Sequence, residues 1–280
     1  FHEERRFAVD REPPPGVGSN PLLRVTLHPD GKRFASLVEH SRIVIWDAQG
    51  FSRLRTLYGW GQTWAEAIYL PKLNRIITGP YTSVLCFWDA TTGELVKTVE
   101  FHSTIWQLKA SPDGSKFAID TEATNQIWDA ATEKPLFIFR AGGYLATQAL
   151  EFSPSGKYLA SNGADGTRIW NSETGKELKA IDTGWSGYPL LAFTPDEKHI
   201  LVIPPNENDN MGPSGDKIVF WDIVKGEAVR EIRSIGPITL FYGKLLQARV
   251  TEDAVEVVDL LSGRRLLSNV PKPEIRYKGD

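Results

Sequence analysis

Three kinds of side chain in this sequence could do chemistry: five histidines, a single cysteine and a recurrent aspartate. His2, His28, His40, His102 and His199 show neither an H-E-x-x-H motif nor an i, i+4 pair, the spacings that bring two imidazoles onto one metal. Cys86 stands alone, which rules out an internal disulfide framework and any zinc site built on several cysteines. It falls inside the apolar run VLCFW, a strand rather than the helix N-terminus that activates a thiol, so it reads as buried and inert. No G-x-S-x-G elbow is present. The cluster NENDN at 206–210 offers oxygens to a cation, but it lacks the alternating aspartates and closing glutamate of a calcium loop. Amide-rich clusters are ordinary in solvated loops. The aspartates follow a proline or a tryptophan in turn-forming contexts, where turn chemistry accounts for them. The expectation is a chain with no catalytic residue, no metal and no cofactor.

The turns that hold these aspartates are periodic. A hydrophobic run ending in Trp-Asp or a near match recurs as RIVIWD at Trp46, LCFWD at Trp88, NQIWD at Trp128, TRIWN at Trp170, KIVFWD at Trp221 and VEVVD at Val258. The spacings are 42, 40, 42, 51 and 37 residues. A second register keeps step with it, as proline turns at Pro29, Pro71, Pro112, Pro154 and Pro195, spaced by 42, 41, 42 and 41. Proline pre-sets φ at one turn position while Asp and Gly accept the others, so each such turn joins two short strands. A further turn follows the Trp-Asp, around Gly93, Gly175, Gly226 and Gly263, and leads to another apolar stretch. Each unit therefore supplies four strands. Runs such as FASLVE, RIVIW, LEFSP and KIVFW are β-rich, and no segment sustains a helical period, so helix content is expected close to nil.

This pattern over residues 22–270 resembles the WD-repeat family of β-propellers, whose units of about 40 residues each form a four-stranded blade around a central channel. The resemblance implies an all-β fold, a β-propeller of four-stranded antiparallel blades, with residues 1–280 as one domain. Six Trp-Asp positions predict six blades, at about 22–57, 64–99, 104–139, 147–181, 189–232 and 238–270, with seven as the alternative because seven is commoner in the family. Segments 1–21 and 271–280 are expected near the ring closure. Typical members also join a Gly-His, a Ser or Thr, an Asp and the Trp in a hydrogen-bonded network, and no unit here has the full set. The fourth keeps Ser161, Asp165 and Trp170 without the Gly-His; the third keeps His102 and Trp128 but has Ile119 and Ala123 at the other two positions. Hydrophobic packing between blades is thus expected to supply most of the stability.

Contact residues follow from the register. From turn proline to Trp takes 17, 17, 16 and 16 residues in the first four units but 26 in the fifth, an insertion at 204–215 between the second and third strands. Insertions into a repeat map to loops on one face, often the binding face, although long surface loops also cost little in closure entropy. Trp60, Trp64, Trp106 and Trp185, with Tyr81 and Tyr188, fall in or beside the connections into each unit, on that same predicted face. Aromatic residues dominate interface hot spots and also pack between strands, so burial is the competing account. The expected partner-binding set is Trp60, Trp64, Trp106, Trp185, Tyr81, Tyr188, Arg42, Arg168, Asn206, Asp209 and Met211, the tryptophans forming an apolar centre and the others a polar rim.

Composition is that of an ordinary folded domain, 41% hydrophobic and 24% charged, and the net charge of −3 gives no basic footprint for nucleic acid. No apolar run reaches the length that crosses a bilayer as a helix. The chain opens on Phe1 rather than methionine, which fits a processed product or part of a longer polypeptide. The lack of an Asn-x-Ser/Thr sequon leans toward an intracellular setting. The leading expectation is a monomeric, non-catalytic scaffold that holds a protein or peptide on its loop-bearing face. The alternatives are a propeller enzyme acting on a small substrate in the central channel, or the regulatory module of a larger protein.

Overall fold

The computed structural model describes residues 24–27, 32–38, 42–50, 52–58, 67–79, 82–121, 124–139, 149–163, 165–183, 190–203, 217–233, 238–241, 244–250, 254–259 and 264–271. These residues form six four-stranded sheets, each made of four consecutive strands in chain order, over 24–58, 67–100, 105–139, 149–181, 190–233 and 238–271. Every pairing within the sheets is antiparallel. One 3-10 turn, Pro71–Leu73, is the helical element among the described residues. The first strands of the first five sheets lie beside one another in succession, so the sheets stand like staves around their innermost strands.

Strand period decides which sheet each residue packs against. In the second sheet Tyr69, Ile76, Cys86 and Trp88 join Ala35, Ile43 and Ile45 of the first sheet in one buried cluster. Ile68, Leu70, Ile77, Leu85 and Phe87, on the opposite face, pack with Ile105, Leu108, Phe117, Ile119 and Trp128 of the third. The same division holds for the third and fourth sheets, where Ala118 and Ile127 meet Leu150, Phe152, Leu159 and Trp170, and for the fourth and fifth. Both faces of these inner sheets are thus buried, and in the second sheet the third strand, Val84–Asp89, accordingly reads as a continuous apolar run rather than an alternating one.

The Trp-Asp aspartate works in its own turn. Asp89 Oδ1 accepts the amides of Thr91 and Thr92 at 2.8 Å. Asp222 Oδ1 accepts those of Val224 and Lys225 at 2.9 and 2.8 Å. Asn171 does the same with its side-chain carbonyl, to Glu173 and Thr174 at 2.9 Å. The turn then passes through a left-handed residue, Gly93, Glu133, Gly175 or Gly226, and the last three sit against the outer strand of the preceding sheet. A Cβ on Gly175 would stand 2.5 Å from the Phe137 ring, so glycine is required there for close approach as well as for φ. Glu133 occupies the equivalent place and makes an ion pair with Lys97 of the second sheet.

Proline turns at the same end interlock in the same sense. Asp113 pairs with Lys72 of the second sheet at 3.4 Å. Glu197, in left-handed backbone where other turns have Gly114 or Gly156, reaches back to the Ser155 amide at 2.6 Å and hydroxyl at 2.9 Å. Burial opposes the charge of both carboxyls, but the donors around them, Ser115 and Ser111 for Asp113 and Ser155 for Glu197, hold both below the ordinary range.

Candidate interaction surface

In a sheet of four consecutive antiparallel strands, the first-to-second and third-to-fourth turns lie at one end, and the second-to-third turn lies at the other with the connections between sheets. The proline and Trp-Asp turns occupy the first end. Most of the predicted contact residues fall outside the described residues: Trp60, Trp64, Trp185, Tyr81, Tyr188, Asn206, Asp209 and Met211, together with the whole 204–215 insertion. Arg42 begins the third strand of the first sheet, its backbone opposite Val38 and Tyr58.

Trp106 and Arg168 can be placed with their side chains. Trp106 is the second residue of the innermost strand of the third sheet, Ile105–Ala110, and is half-buried. A bulge lies beside it, where the pairing shifts between Asp120 and Thr121. Arg168 lies in the third strand of the fourth sheet and is held by two carboxylates of its own sheet, Asp165 and, at 2.9 Å, Glu177. The Asp165 hydrogen bond, with Glu177 behind it, raises the Arg168 pKa. Asp165, read from the sequence as a remnant of the family network, therefore serves as an anchor for Arg168.

The network itself is rewired. Trp170 Nε1 donates to Ser161 Oγ at 2.9 Å, and Trp88 Nε1 to Thr78 Oγ1 at 3.1 Å, both buried bonds between the third strand and the second. In the third sheet that acceptor position is Ile119, and Trp128 Nε1 turns instead to Gln126 Oε1 at 2.9 Å. His102, placed by register where the family has its structural histidine, is exposed and takes no part in this. The buried Trp221 Nε1 has no hydrogen-bond partner, because Val202 stands at the acceptor position. Sequence reading found Ser161 and missed both Thr78 and Gln126. The signal for Gln126 was its place two residues before the Trp, on the same side of the strand.

On the inner strands Glu151 is half-buried, and burial pushes its carboxyl up against the opposing pull of Lys109. Cys86 is buried, and desolvation raises its thiol to about 11, so it stays protonated and unreactive at neutral pH. Among the described residues no group of three or more His, Cys, Asp or Glu side chains comes together to hold a metal. None of the described helices is long and apolar enough to cross a membrane.

Sheets of four consecutive strands set side by side, with an indole bonded to the second strand and an Asp-capped turn after it, define the class: the fold is a β-propeller. The profile of the WD domain, G-beta repeat, matches residues 137–171. The chain is similar to Eukaryotic translation initiation factor 3 subunit I of Emericella nidulans, 26% identical over 199 residues, covering 65% of this chain and 59% of that protein. It is also similar to Cell division cycle 20.1, cofactor of APC complex, of Arabidopsis thaliana, 27% identical over 194 residues, 65% of this chain and 42% of that protein. The chain thus matches less than two thirds of the length of either relative. Among solved structures, the β-propeller domain of Cps50 (Swd1) from Myceliophteria thermophila superposes with a TM-score of 0.66 at 14% identity, over 91% of this chain and 88% of that one, a likeness of fold.

Proposed function

We propose that residues 1–280 form one six-bladed ring that works as a non-catalytic scaffold, holding a protein partner at the end of the sheets where the inter-sheet connections lie. The observation that carries this reading is the use made of the reactive side chains. The Trp-Asp aspartates cap their own turns, Cys86 is protonated inside a sheet, and Arg168 is tied to Asp165 and Glu177. The names of the relatives, a subunit of an initiation factor and a cofactor of a complex, support a partner that is itself part of a larger assembly.

Contact would be centred on Trp106 with Trp60, Trp64, Trp185, Tyr81 and Tyr188, rimmed by Arg42, Arg168, Asn206, Asp209 and Met211. A rigid scaffold presenting aromatic side chains on loops is the common design of a hot-spot surface. The test takes a partner identified by co-purification from the native source and measures its affinity for W106A, W185A and a variant shortened across 204–215, each checked for an unchanged melt. Each is expected to weaken binding by about 2 kcal/mol or more, whereas changes in the turns at Gly93 or Thr174 leave it intact. The opposite pattern would overturn the assignment of the face.

A further inference from the structure

The outermost strand of each sheet is an edge, and its alternate backbone groups are open to another strand. Soluble proteins guard such edges with charges, and four of the five outer strands whose side chains are described do so. Arg53–Tyr58 carries Arg53 and Arg55, Leu95–Glu100 carries Lys97 and Glu100, Glu177–Ile181 carries Glu177 and Lys179, and Ala228–Arg233 carries Arg230 and Glu231. The third sheet breaks the rule. Its outer strand, Lys134–Phe139, reads KPLFIF, with Lys134 its sole charge.

Phe137 and Phe139 are half-buried toward the fourth sheet, where Phe139 stacks on Trp170 with ring centroids 4.1 Å apart. Leu136 and Ile138 are left in solvent, 43% and 60% exposed. Every described third-to-fourth strand pairing has a bulge at the Trp position, and Leu136 is the extra residue of this one, equivalent to Leu54, Val96, Leu178 and Val229. An exposed aliphatic residue at the bulge is therefore common to the repeat. Ile138 is not: the equivalent positions, each opposite the residue two before the Trp, hold Thr56, Thr98, Ala180 and Glu231. The Lys134 side chain, exposed at the start of the strand, makes no ion pair among the described residues.

From this combination we infer that the outer edge of the third sheet is a second docking site, for an extended segment of a partner protein that adds to it as a fifth strand. Open ladder groups specify an extended backbone, Leu136 and Ile138 specify apolar side chains at alternate positions of that segment, and Lys134 specifies an acidic residue at its end. Pro135 supplies no amide, so the added strand pairs along Leu136–Phe139. The site lies on the rim, apart from the loop-bearing end, and it shares with the proposed function only the premise that the chain binds proteins.

The probe is a fluorescein-labelled heptapeptide, Glu-Val-Thr-Ile-Thr-Val-Glu, blocked at both termini and acidic at each end so that either strand direction can meet Lys134. Its partner probe is the same peptide N-methylated at both threonines and at the isoleucine between them, which keeps the side chains and removes backbone donors from both edges of the peptide. Fluorescence anisotropy on the full chain should show saturable binding that falls about tenfold or more on N-methylation, and likewise in I138K and K134E. Amide exchange should slow within Leu136–Phe139 when peptide is added. Both substitutions are at exposed positions, and unchanged melting temperatures would confirm the fold. Absence of saturable binding, or equal binding of the methylated peptide or by I138K, overturns the proposal. So does sedimentation showing a dimer that I138K abolishes, since that assigns the edge to a second copy of the chain. Loss of the edge site with partner binding intact at the loop-bearing end would leave the proposed function standing.

Discussion

At the scale of single residues, the indole nitrogens show how the repeat tolerates change. A buried N–H without an acceptor costs about 1–3 kcal/mol, so each anchoring tryptophan either keeps its partner, finds another, or bears the loss. Trp170 and Trp88 keep a hydroxyl, Trp128 has moved to Gln126, and Trp221 goes without. Gln126→Leu should then destabilise the domain by about as much as Ser161→Ala, about 1–3 kcal/mol, while Trp128→Ala empties a buried aromatic site and should cost about 3–5 kcal/mol. Urea denaturation with an unchanged m-value is the measurement, and a Gln126→Leu midpoint equal to the parent's would show that this bond contributes nothing. The sequence pointed to the anchors because Trp is conspicuous at a fixed register. It did not point to Gln126, since a polar residue two places upstream looks like an ordinary solvent-facing strand position until the neighbouring Ile119 is seen to withhold an acceptor.

Turns are the element that makes the repeat sensitive to acid. Asp89 is held below the ordinary carboxylate value chiefly by the Thr92 amide, Asp129 by the Thr132 hydroxyl and Asp222 by the Lys225 amide. A carboxyl whose pKa is lower in the folded chain than in the unfolded one stabilises the fold above the unfolded value, and that contribution disappears as the pH falls through the folded value. The urea midpoint should therefore be flat near neutrality and drop as the pH is taken below about 4, the ordinary aspartate range. Asn171 shows that an amide oxygen caps the same turn, so a variant carrying Asp89→Asn, Asp129→Asn and Asp222→Asn should fold and show a shallower acid slope. An unchanged slope would mean that these caps do not carry the pH dependence. The strands and turns were legible in the sequence because proline, glycine and Trp-Asp punctuate them. The edge of the third sheet was not, because an apolar run reads alike whether it faces a neighbouring sheet or open solvent. Arg168 was visible as a cation, but its capture depends on Glu177 lying on the next strand, which only the pairing reveals.

For the molecule as a whole, what matters is that the sheets all face the same way. Each inner sheet turns its tryptophan toward the sheet before it and its plain face toward the sheet after, and the turn contacts run in the same sense, from Glu133 back to Lys97 and from Glu197 back to Ser155. In the language of assemblies this is a head-to-tail contact repeated within one chain, with no two-fold axis relating one sheet to the next. Such a series has polarity. Cutting it between any two sheets leaves one bare face of each kind, and the two are mates. Fragments 1–144 and 145–280, parted in the connection between the third and fourth sheets, should therefore recombine one to one when produced together and give a circular dichroism spectrum as rich in β structure as the intact chain. Separately folded halves that ignore each other would show that the covalent connection, not the faces, holds the sheets in order. Polarity also sets how the chain can go wrong: a molecule opened at one junction offers a fresh face to any other opened molecule, and because the contact never points back on itself, chains can go on adding head to tail until the rotation happens to close a larger ring.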